Sequence, residues 1–530
     1  MINSIFQPPQ ESDGVIAGAH RQLGTECLSR LCRRRLHGDT DSASVVIFQE
    51  NISFDHYFGT YPLATNPQGE PFFKASPSTP AANGYTNTLL NFNPNLKPAN
   101  GTGKSNPFRL DRSTPVTPDQ GHGYTQEQQA FDNGLMDLFP KFTTNPGGSN
   151  EVMGYYDGNT VTALWNYAQF FAMSDNPYST TFGPSTPGLI NLVSGQTNGV
   201  IAHLNGTGSE VDGGTGSLTV IGDPDPIGDA CSAPTRNQVT MGGTNVGDLL
   251  HAADVTWGSF MGGFDLTVVN PNGSTGCSRS SVNVGGTTVT DYIAHHHFFN
   301  YWTSTANPQH TRPRSVAEIG NDGPANHQYD LHDFFDAIKA GNFPAVSFLK
   351  APAYQDGHAG YSDPLDEQTF LVNTINFLQA QPSWGSTAVI ILYDDSDGWY
   401  DHQMSPIVNT STGPADALTG SNACGTAANA LPGFDPGSTH ALGRCGYGPR
   451  QPLLVVSPWA RRNFVDHSVT DQTSVLRFIE DNWLGGQRIG QGSFDSIANY
   501  ITQMFNFRKM QENGTLFLDP STGTVRQQQQ

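Results

Sequence analysis

Four short runs of apolar, mostly β-branched residues place the strongest constraint on the fold of this chain. They are nearly continuous rather than alternating, and they lie at 44–48 (SVVIF), 345–349 (AVSFL), 388–393 (AVIILY) and 453–457 (LLVVS). A strand with one face in water alternates apolar and polar residues, whereas a strand covered on both faces does not. The four runs therefore predict a buried and mostly parallel central sheet.

Amphipathic segments between these runs predict the helices that cover the sheet. They lie at 127–139, 328–341, 366–381 and 471–483. Asp366 and Asp471 stand where a helix cap or a first-turn acid is expected. Because strands and helices alternate along the chain, we expect an α/β domain with helices on both faces of the sheet.

Two polar regions interrupt this alternation. Residues 63–120 are dense in Asn, Pro, Gly, Thr and Ser, and residues 196–325 are rich in Gly, Thr and Asn. We expect both to be insertions within one catalytic domain at 44–484. Residues 1–43 are interpreted as an atypical N-terminal tail, and residues 485–530 as a C-terminal extension whose Gln-rich end is expected to be disordered.

The charge balance restricts the class of ligand. The 530 residues include 26 Lys and Arg against 47 Asp and Glu, a formal charge of -21, which argues against a nucleic-acid-binding protein. A phosphorylated ligand would therefore need a local positive centre, such as a metal ion. No apolar run is long enough to cross a bilayer, and an Arg cluster at 30–35 is followed by polar residues, so no export signal is visible.

The six cysteines favour disulfides over a zinc site, because none forms a CxxC pair. Cys424 and Cys445 enclose a loop rich in Gly, Pro and Ala, which a disulfide would close with an entropic gain. We also expect a second bridge, between Cys231 and Cys277. Both bridges imply an oxidising compartment and thus a secreted or periplasmic protein. The alternative is that all six cysteines are buried thiols.

Polar side chains follow two of the predicted strands directly. Glu50 and Asn51 come after the first run, and Asp394 and Asp395 come after the third. Ligands of open α/β sheets bind at the carboxyl ends of the strands, and carboxylates brought together there repel each other unless a cation lies between them. An all-oxygen set suits a hard divalent ion, of the Ca or Mg type. The alternative is that these residues cap helices or turns.

Ser185 is the candidate nucleophile. It lies between Pro184 and Thr186 at the entry to a helix that we expect to begin near Pro187. A hydroxyl at that position is close to a helix amino terminus, where a phosphate also binds well. The alternative is an ordinary capping serine. The chain has no GxSxG, HExxH or P-loop motif.

Histidines in three loops complete the candidate site. Residues 295–297 are three consecutive histidines, and His122 and His358 lie in loops flanked by Gly or Tyr. Isolated histidines are usually satisfied structural residues. Loops of this kind, however, are where binding residues collect.

Seven blocks of sequence, taken in order along the chain, strengthen the interpretation of these residues as one site. They are QENISFDHYFGTYP, DQGHGYTQEQQAFDNGLMD, FGPSTPG, DYIAHHHFF, HAGYSDPLDEQ, YDDSDGWYDH and YGPRQPLLVVSPWAR. Together they resemble the bacterial phosphoesterase family that unites acid phosphatases with phosphatidylcholine-type phospholipases C. That family is a branch of the alkaline phosphatase superfamily. The similarity covers roughly residues 44–483 and implies an alkaline phosphatase-like α/β core.

The resemblance also implies roles for individual residues. The metal ligands would be Glu50, Asn51, Ser185, Asp394 and Asp395. Ser185 would also be the nucleophile of a metal-dependent hydrolysis that passes through a phosphoserine. The residues lining the phosphate pocket would be His122, His295, His296 and His358. His297 is left out, and Asp401 and His402 lie in a matching block without an assigned role.

Within the family, two departures favour acid phosphatase activity on monoesters. Asp394 is followed by Asp395, whereas the phospholipases usually pair Asp with Glu, and the chain ends soon after the core. Protonated histidines would serve best below about pH 6.5. One alternative is a phospholipase C that cleaves phosphatidylcholine-type diesters. Another is a catalytically inactive extracellular binding module. The expected partner is a small phosphorylated substrate or a phospholipid head group.

Overall fold

The computed structural model describes most of the chain. It covers residues 43–144, 150–213, 216–409, 411, 413–418, 424, 443–510 and 514–526. The predictions for the N-terminal tail up to residue 42 and for the Gln-rich end at 527–530 lie outside these ranges. In the part that is described, no helix combines the length and the apolar character needed to cross a membrane.

An eight-stranded sheet forms the centre of the domain, in the order β14-β11-β15-β1-β16-β17-β4-β18. Its strands are β1 (Ala43–Gln49), β4 (Ala172–Ser174), β11 (Trp257–Met261), β14 (Gln328–Asp330), β15 (Val346–Lys350), β16 (Thr387–Tyr393), β17 (Leu453–Val456) and β18 (Phe464–Asp466). Every residue of β1, β15, β16 and β17 is buried, so both faces of the sheet are covered there. The predicted α/β fold with a mostly parallel central sheet is confirmed.

Strand β17 is the exception to the parallel arrangement. It pairs antiparallel with β16 on one side and with β4 on the other, whereas the other adjacent pairs of this sheet are parallel. The buried strand predicted at 453–457 is present as β17, and its direction makes the sheet mostly rather than wholly parallel. A continuous apolar run reports burial of both faces, and burial is the same for either direction of the chain.

Ten α-helices lie in the described part of the chain. They are α1 (Phe54–Phe58), α2 (Asn87–Asn91), α3 (Tyr124–Phe131), α4 (Phe139–Phe142), α5 (Thr162–Phe170), α6 (Ser185–Ser194), α7 (Val246–Ala252), α8 (Leu331–Lys339), α9 (Pro364–Gln379) and α10 (Gln472–Trp483). The predicted helix at 127–139 is broken, because Asp132 and Asn133 adopt left-handed backbone angles with φ of 43° and 54°. Helix α6 begins at Ser185, two residues before the expected start.

Capping side chains set several of the helix starts. Asp471 caps α10 as predicted, and its carboxylate accepts a hydrogen bond from the Thr473 amide. Asp363, rather than Asp366, caps α9, while Asp366 lies in the first turn. Ser53 caps α1 by accepting a hydrogen bond from the His56 amide. Short polar side chains at these positions satisfy backbone N–H groups that the helix leaves free.

The remaining strands lie outside the central sheet. They are β2 (Phe108–Arg109), β3 (Gly154–Tyr155), β5 (Pro177–Tyr178), β6 (Asn198–Leu204), β7 (Glu210–Asp212), β8 (Leu218–Val220), β9 (Asp225–Pro226), β10 (Gln238–Met241), β12 (Ser280–Val282), β13 (Thr288–Thr290) and β19 (Thr470–Asp471). Strands β6 to β10 form a separate five-stranded sheet within the polar region 196–325. That region also supplies β11 to the central sheet, so the predicted insertion does not extend over all of its residues.

Both predicted disulfides are present. Cys231 is bonded to Cys277, and Cys424 is bonded to Cys445, with 5.3 Å between the Cα atoms in each case. Cys424 and Cys445 are buried. Most of the loop that the second bridge encloses lies outside the described ranges.

The C-terminal extension packs against the domain where it is described. The amide of Leu516 donates a hydrogen bond to the side chain of Gln379 on α9, and the Asn376 side chain donates to the carbonyl of Leu518. Leu518 is fully buried. This part of residues 485–530 is therefore integrated into the hydrophobic core.

A buried group of ionic side chains joins α1 to the segments around β16 and β17. Arg450 lies 2.9 Å from Asp55 and 3.1 Å from Asp401, and the ring of His402 lies 2.6 Å from Asp55. The guanidinium of Arg450 also lies over the ring of Phe54. We call Asp55, Asp401, His402 and Arg450 the Arg450 network. It accounts structurally for two residues to which the sequence assigned no role.

Opposite charges in this network move two pKa values in opposite directions. Burial alone would raise the pKa of Asp55, but the charges of His402 and Arg450 hold it below its ordinary value. Burial alone would lower the pKa of His402, but the charge of Asp55 and its hydrogen bond raise it. His402 therefore stabilises the fold while it is protonated, and that contribution is lost as the pH rises through its raised pKa.

We expect His402→Gln to lower the melting temperature more at pH 5.5 than at pH 9, by on the order of 2 °C or more. At pH 5.5 the substitution removes a charged partner of Asp55, whereas this charge is lost from wild-type His402 as the pH rises through its raised pKa. Thermal unfolding monitored by circular dichroism measures both values. The control is His203→Gln, at an exposed position on β6. An equal loss at the two pH values would contradict the ionic role.

Candidate active site

The polar residues that follow β1 and β16 meet at one edge of the sheet. Gln49 pairs with Tyr393 at the ends of these adjacent parallel strands. The residues that follow the two strands therefore lie side by side. Asn51 adopts a left-handed backbone with φ of 59°, and its amide donates a hydrogen bond of 3.0 Å to Asp394 Oδ1. Asn tolerates this conformation better than most residues. The turn directs the side chains of Glu50 and Asn51 toward Ser185.

Three side-chain oxygens surround the hydroxyl of Ser185. Ser185 Oγ lies 2.9 Å from Glu50 Oε2, 3.1 Å from Asp395 Oδ2 and 3.4 Å from Asn51 Oδ1. All four residues are buried. A hydroxyl has one proton to donate, so three acceptors around it exceed what hydrogen bonding can satisfy.

Close packing of α6 against the end of β16 brings Ser185 to this position. Gly188 lies in the first turn of α6, and a Cβ atom built on it would come within 2.3 Å of the Asp394 carbonyl oxygen. Only a residue without a side chain permits this approach. The glycine therefore determines how near Ser185 lies to the residues after β16.

Asp394 lies beside the three residues that surround Ser185. Its Oδ1 accepts hydrogen bonds from the amides of Asn51 and Asp395, and its Oδ2 lies 3.4 Å from Lys350 Nζ. We call the five predicted ligands the metal cradle: Glu50, Asn51, Ser185, Asp394 and Asp395. The side-chain oxygens of four of them converge, while Asp394 is held beside them by backbone amides and Lys350.

The electrostatics of the metal cradle fit a bound cation. Burial and the charge of Asp394 raise the pKa of Glu50 well above its ordinary value. Burial raises the pKa of Asp395 in the same way, and Asp394 adds to the effect. Carboxylates buried together resist ionisation unless positive charge is supplied. The oxygen donors, the surplus of acceptors around Ser185 and this repulsion all suit a hard divalent ion.

Lys350 is the site residue that the sequence analysis missed. It is the last residue of β15, it is 1% exposed, and its Nζ contacts Glu50 Oε1. A signal for it was present, because it directly follows an apolar run, as Asp394 does. The rule that ligands collect at strand ends applies to it equally.

The four predicted pocket histidines form a continuous array of rings. The ring centroids of His122 and His358 are 6.0 Å apart, those of His358 and His296 are 6.4 Å apart, and those of His296 and His295 are 4.5 Å apart. His296 Nδ1 lies 3.2 Å from Glu50 Oε1, which joins the array to the metal cradle. At the other end, His122 Nε2 lies 3.5 Å from the Asn51 side-chain nitrogen.

Neighbouring acids separate the pKa values of three buried histidines in this array. Burial lowers the pKa of His358 to about 4 and that of His296 well below its ordinary value. Burial also acts to lower the pKa of His122, but the charges of Asp395 and Asp397 raise this pKa well above its ordinary value. The pKa values of His296 and His358 therefore lie lower than the pH of about 6.5 expected for protonated histidines.

His297 lies outside the array and has a structural role. It is fully buried, accepts a hydrogen bond from the Phe299 amide and packs against Phe264. Burial lowers its pKa to about 3, so the ring is neutral.

Two further acids support the site residues. Asp397 accepts a hydrogen bond of 3.2 Å from the Asn51 side chain and lies 3.2 Å from His122 Nδ1. Asp356 accepts a hydrogen bond from the His358 amide. Burial raises the pKa of Asp397 to about 7. Neither acid follows a strand directly, so no local pattern distinguished them from ordinary loop acids.

Comparison with known proteins gives a family match over most of the chain. The model of the Phosphoesterase family matches residues 42–484. The chain is 25% identical over 489 residues to a non-hemolytic phospholipase C of Pseudomonas aeruginosa, covering 89% of this chain and 58% of that protein. It is 24% identical over 479 residues to phospholipase C A of Mycobacterium tuberculosis, covering 87% and 76%. The chain thus spans 58% of the length of the Pseudomonas relative.

Two solved structures show slighter likeness. A murine ectonucleotide pyrophosphatase / phosphodiesterase 5 has a TM-score of 0.31 and 11% identity, covering 65% of this chain and 95% of its own. A mutant alkaline phosphatase has a TM-score of 0.32 and 10% identity, covering 64% and 94%. Scores this low carry no argument about the chain.

We expect Gly188→Ala to weaken the binding of Mg²⁺ or Ca²⁺ at least tenfold and to cost about 1–3 kcal/mol of stability. The added methyl group would push α6 away from Asp394 and draw Ser185 out of the metal cradle. Isothermal titration calorimetry measures the affinity, and thermal unfolding measures the stability.

The control for this prediction is Gly385→Ala, because a Cβ atom there meets no atom within 4 Å. It should leave metal affinity unchanged. Wild-type affinity in the Gly188 variant would show that the close packing of α6 does not position Ser185.

Proposed function

This chain belongs to the phosphoesterase family, and on that basis we propose that it hydrolyses phosphate esters with Ser185 as nucleophile and with monoesters as preferred substrates. The observation that carries the proposal is the position of Ser185. Its hydroxyl lies within 3.4 Å of oxygens of Glu50, Asn51 and Asp395, at the first residue of α6. A serine placed for nucleophilic attack needs this kind of activation, whereas a helix cap does not.

The metal cradle would hold one divalent ion of the Ca or Mg type. When bound, such an ion lowers the pKa of a coordinated hydroxyl and offsets the charge of phosphoryl oxygens. Among the residues of this chain, Glu50 Oε2 is the nearest acceptor for the Ser185 proton, at 2.9 Å. Ser185 Oγ then attacks phosphorus in line, the ester oxygen leaves, and the product is a phosphoserine that water hydrolyses.

His122 is the best placed residue to donate a proton to the leaving oxygen. Its pKa is raised by Asp395 and Asp397 against the effect of burial, so it holds a proton that His296 and His358 do not. Its Nδ1 is occupied by the Gln120 carbonyl at 2.8 Å, which leaves Nε2 facing Asn51 and the metal cradle. The neutral histidines hydrogen-bond the phosphoryl group and orient it.

Positive charge at the site supports the choice of a monoester. A monoester dianion carries one more negative charge than a diester. Lys350 and His122 both face the metal cradle from within hydrogen-bonding distance of its residues. The Asp394–Asp395 pair, which resembles the acid phosphatase branch, supports the same choice.

A second candidate is phospholipase C activity on phosphatidylcholine-type diesters. The observation in its favour is that relatives named phospholipase C, including non-specific phospholipase C6 of Arabidopsis thaliana, match 86–89% of this chain. A third candidate, of another class, is an inactive extracellular module that binds a phosphorylated ligand without turnover. The disulfides support export to an oxidising compartment for all three.

We expect Ser185→Ala to lower kcat on a chromogenic phosphate monoester by about a thousandfold or more, with the fold retained. The variant loses the nucleophile but no core contact. The control is Ser53→Ala, which removes the cap of α1 and should cost about 1 kcal/mol of stability with little effect on kcat. Near-normal turnover by the Ser185 variant would refute its role as nucleophile.

A substrate panel separates the three candidates. We expect hydrolysis of small phosphate monoesters to exceed that of phosphatidylcholine between pH 4 and pH 8, and chelator to abolish both. Release of phosphocholine at the higher rate would establish the phospholipase instead. Phosphate binding without turnover of any ester would support the inactive module.

A further inference from the structure

A buried lysine at the metal cradle takes no part in the chemical steps proposed above. We propose that Lys350 is a resident cation that shares Glu50 and Asp394 with the divalent ion, so that the ion is held less tightly and remains more electrophilic. The inference rests on the metal site of the proposed function. It makes Lys350 a positioning residue, because its contacts are with ligands rather than with substrate.

Strand order fixes Lys350 in this place. Strand β15 lies next to β1 in the sheet, with Leu349 opposite Ile47, so the next residues along β15 and β1 reach the same edge. Lys350 is 1% exposed, and its Nζ lies 5.3 Å from the ring centroid of Phe48. A lysine is almost never buried this deeply unless its charge is paired.

The carboxylate oxygens are divided between Lys350 and Ser185. Glu50 turns Oε1 toward Lys350 and Oε2 toward Ser185. Asp394 turns Oδ2 toward Lys350, while its Oδ1 accepts two backbone amides. The ammonium thus occupies one side of the metal cradle, and the oxygens on the other side remain for a metal ion.

The charges balance with a single divalent ion. The three carboxylates of the metal cradle carry one negative charge each when ionised. Lys350 and one divalent ion together neutralise them. In a buried site an unbalanced charge is costly, so the lysine sets how much positive charge the cradle needs from the metal.

Two effects on the metal follow from this sharing. The ammonium repels a divalent ion bound to the same carboxylates, which lowers its affinity. It also withdraws negative charge from Glu50 and Asp394, so these ligands neutralise the ion less completely. A bound ion would then supply stronger polarisation to the Ser185 hydroxyl and to a phosphoryl group.

Calorimetric titration of metal-free protein with Mg²⁺ and with Ca²⁺ tests the inference. Lys350→Met should bind the ion at least tenfold more tightly than wild type, while its kcat falls at least tenfold and its KM changes less than threefold. Lys350→Arg keeps the charge and should remain within threefold of wild-type affinity. Lys339→Met removes the same charge from an exposed position on α8 and is the matched control.

A structural role for Lys350 predicts the opposite result. If the lysine only holds Glu50 in place, Lys350→Met would bind the ion more weakly, and unchanged or weaker binding would overturn the inference. If the variant folds only with metal, the chelator concentration needed to remove the ion gives the same comparison. Failure to fold even in saturating metal would also overturn it.

The proposed function fails in a different way. Wild-type protein that binds the ion but hydrolyses no ester would contradict the function, while the affinities of the Lys350 variants would still decide the inference.

Discussion

The concentration of buried negative charge at one edge of the central sheet is the constraint on which the rest of the structure depends. Glu50, Asp394 and Asp395 lie together in surroundings that raise the pKa of two of them. Such a group is unfavourable on its own, and it persists because other elements compensate it. Lys350 supplies one positive charge, backbone amides satisfy Asp394, and the remaining oxygens converge on Ser185.

Packing around this edge determines the precision of the site. Gly188 allows α6 to approach the Asp394 carbonyl. The Arg450 network ties α1 to the segments around β16 and β17 through fully buried ion pairs. Ionic contacts of this kind give little net stability, but they define one arrangement of the segments that carry the site. Ser185 therefore lies on a helix, and the other residues of the metal cradle directly follow the ends of β1 and β16, so rigid elements hold the site.

Neighbouring acids give chemically similar residues different protonation states. Four histidines form one array, yet His122 holds a proton while His296 and His358 are neutral. Acids placed beside His122 account for the difference, since Asp397 lies 3.2 Å from its ring. A single shared titration of these histidines is therefore not expected.

The sequence by itself determined the α/β class, the main buried strands, both disulfides and the set of candidate ligands at the strand ends. These features leave local traces, because burial of both faces makes a strand continuously apolar and a polar residue directly after it stands out. Tertiary structure alone decided the direction of β17, the place of Trp257–Met261 in the central sheet, the pairing of Lys350 with Glu50 and the division of the histidines into charged and neutral. Each of these depends on which segments, distant in the sequence, are buried next to each other. No local pattern of residues indicates that.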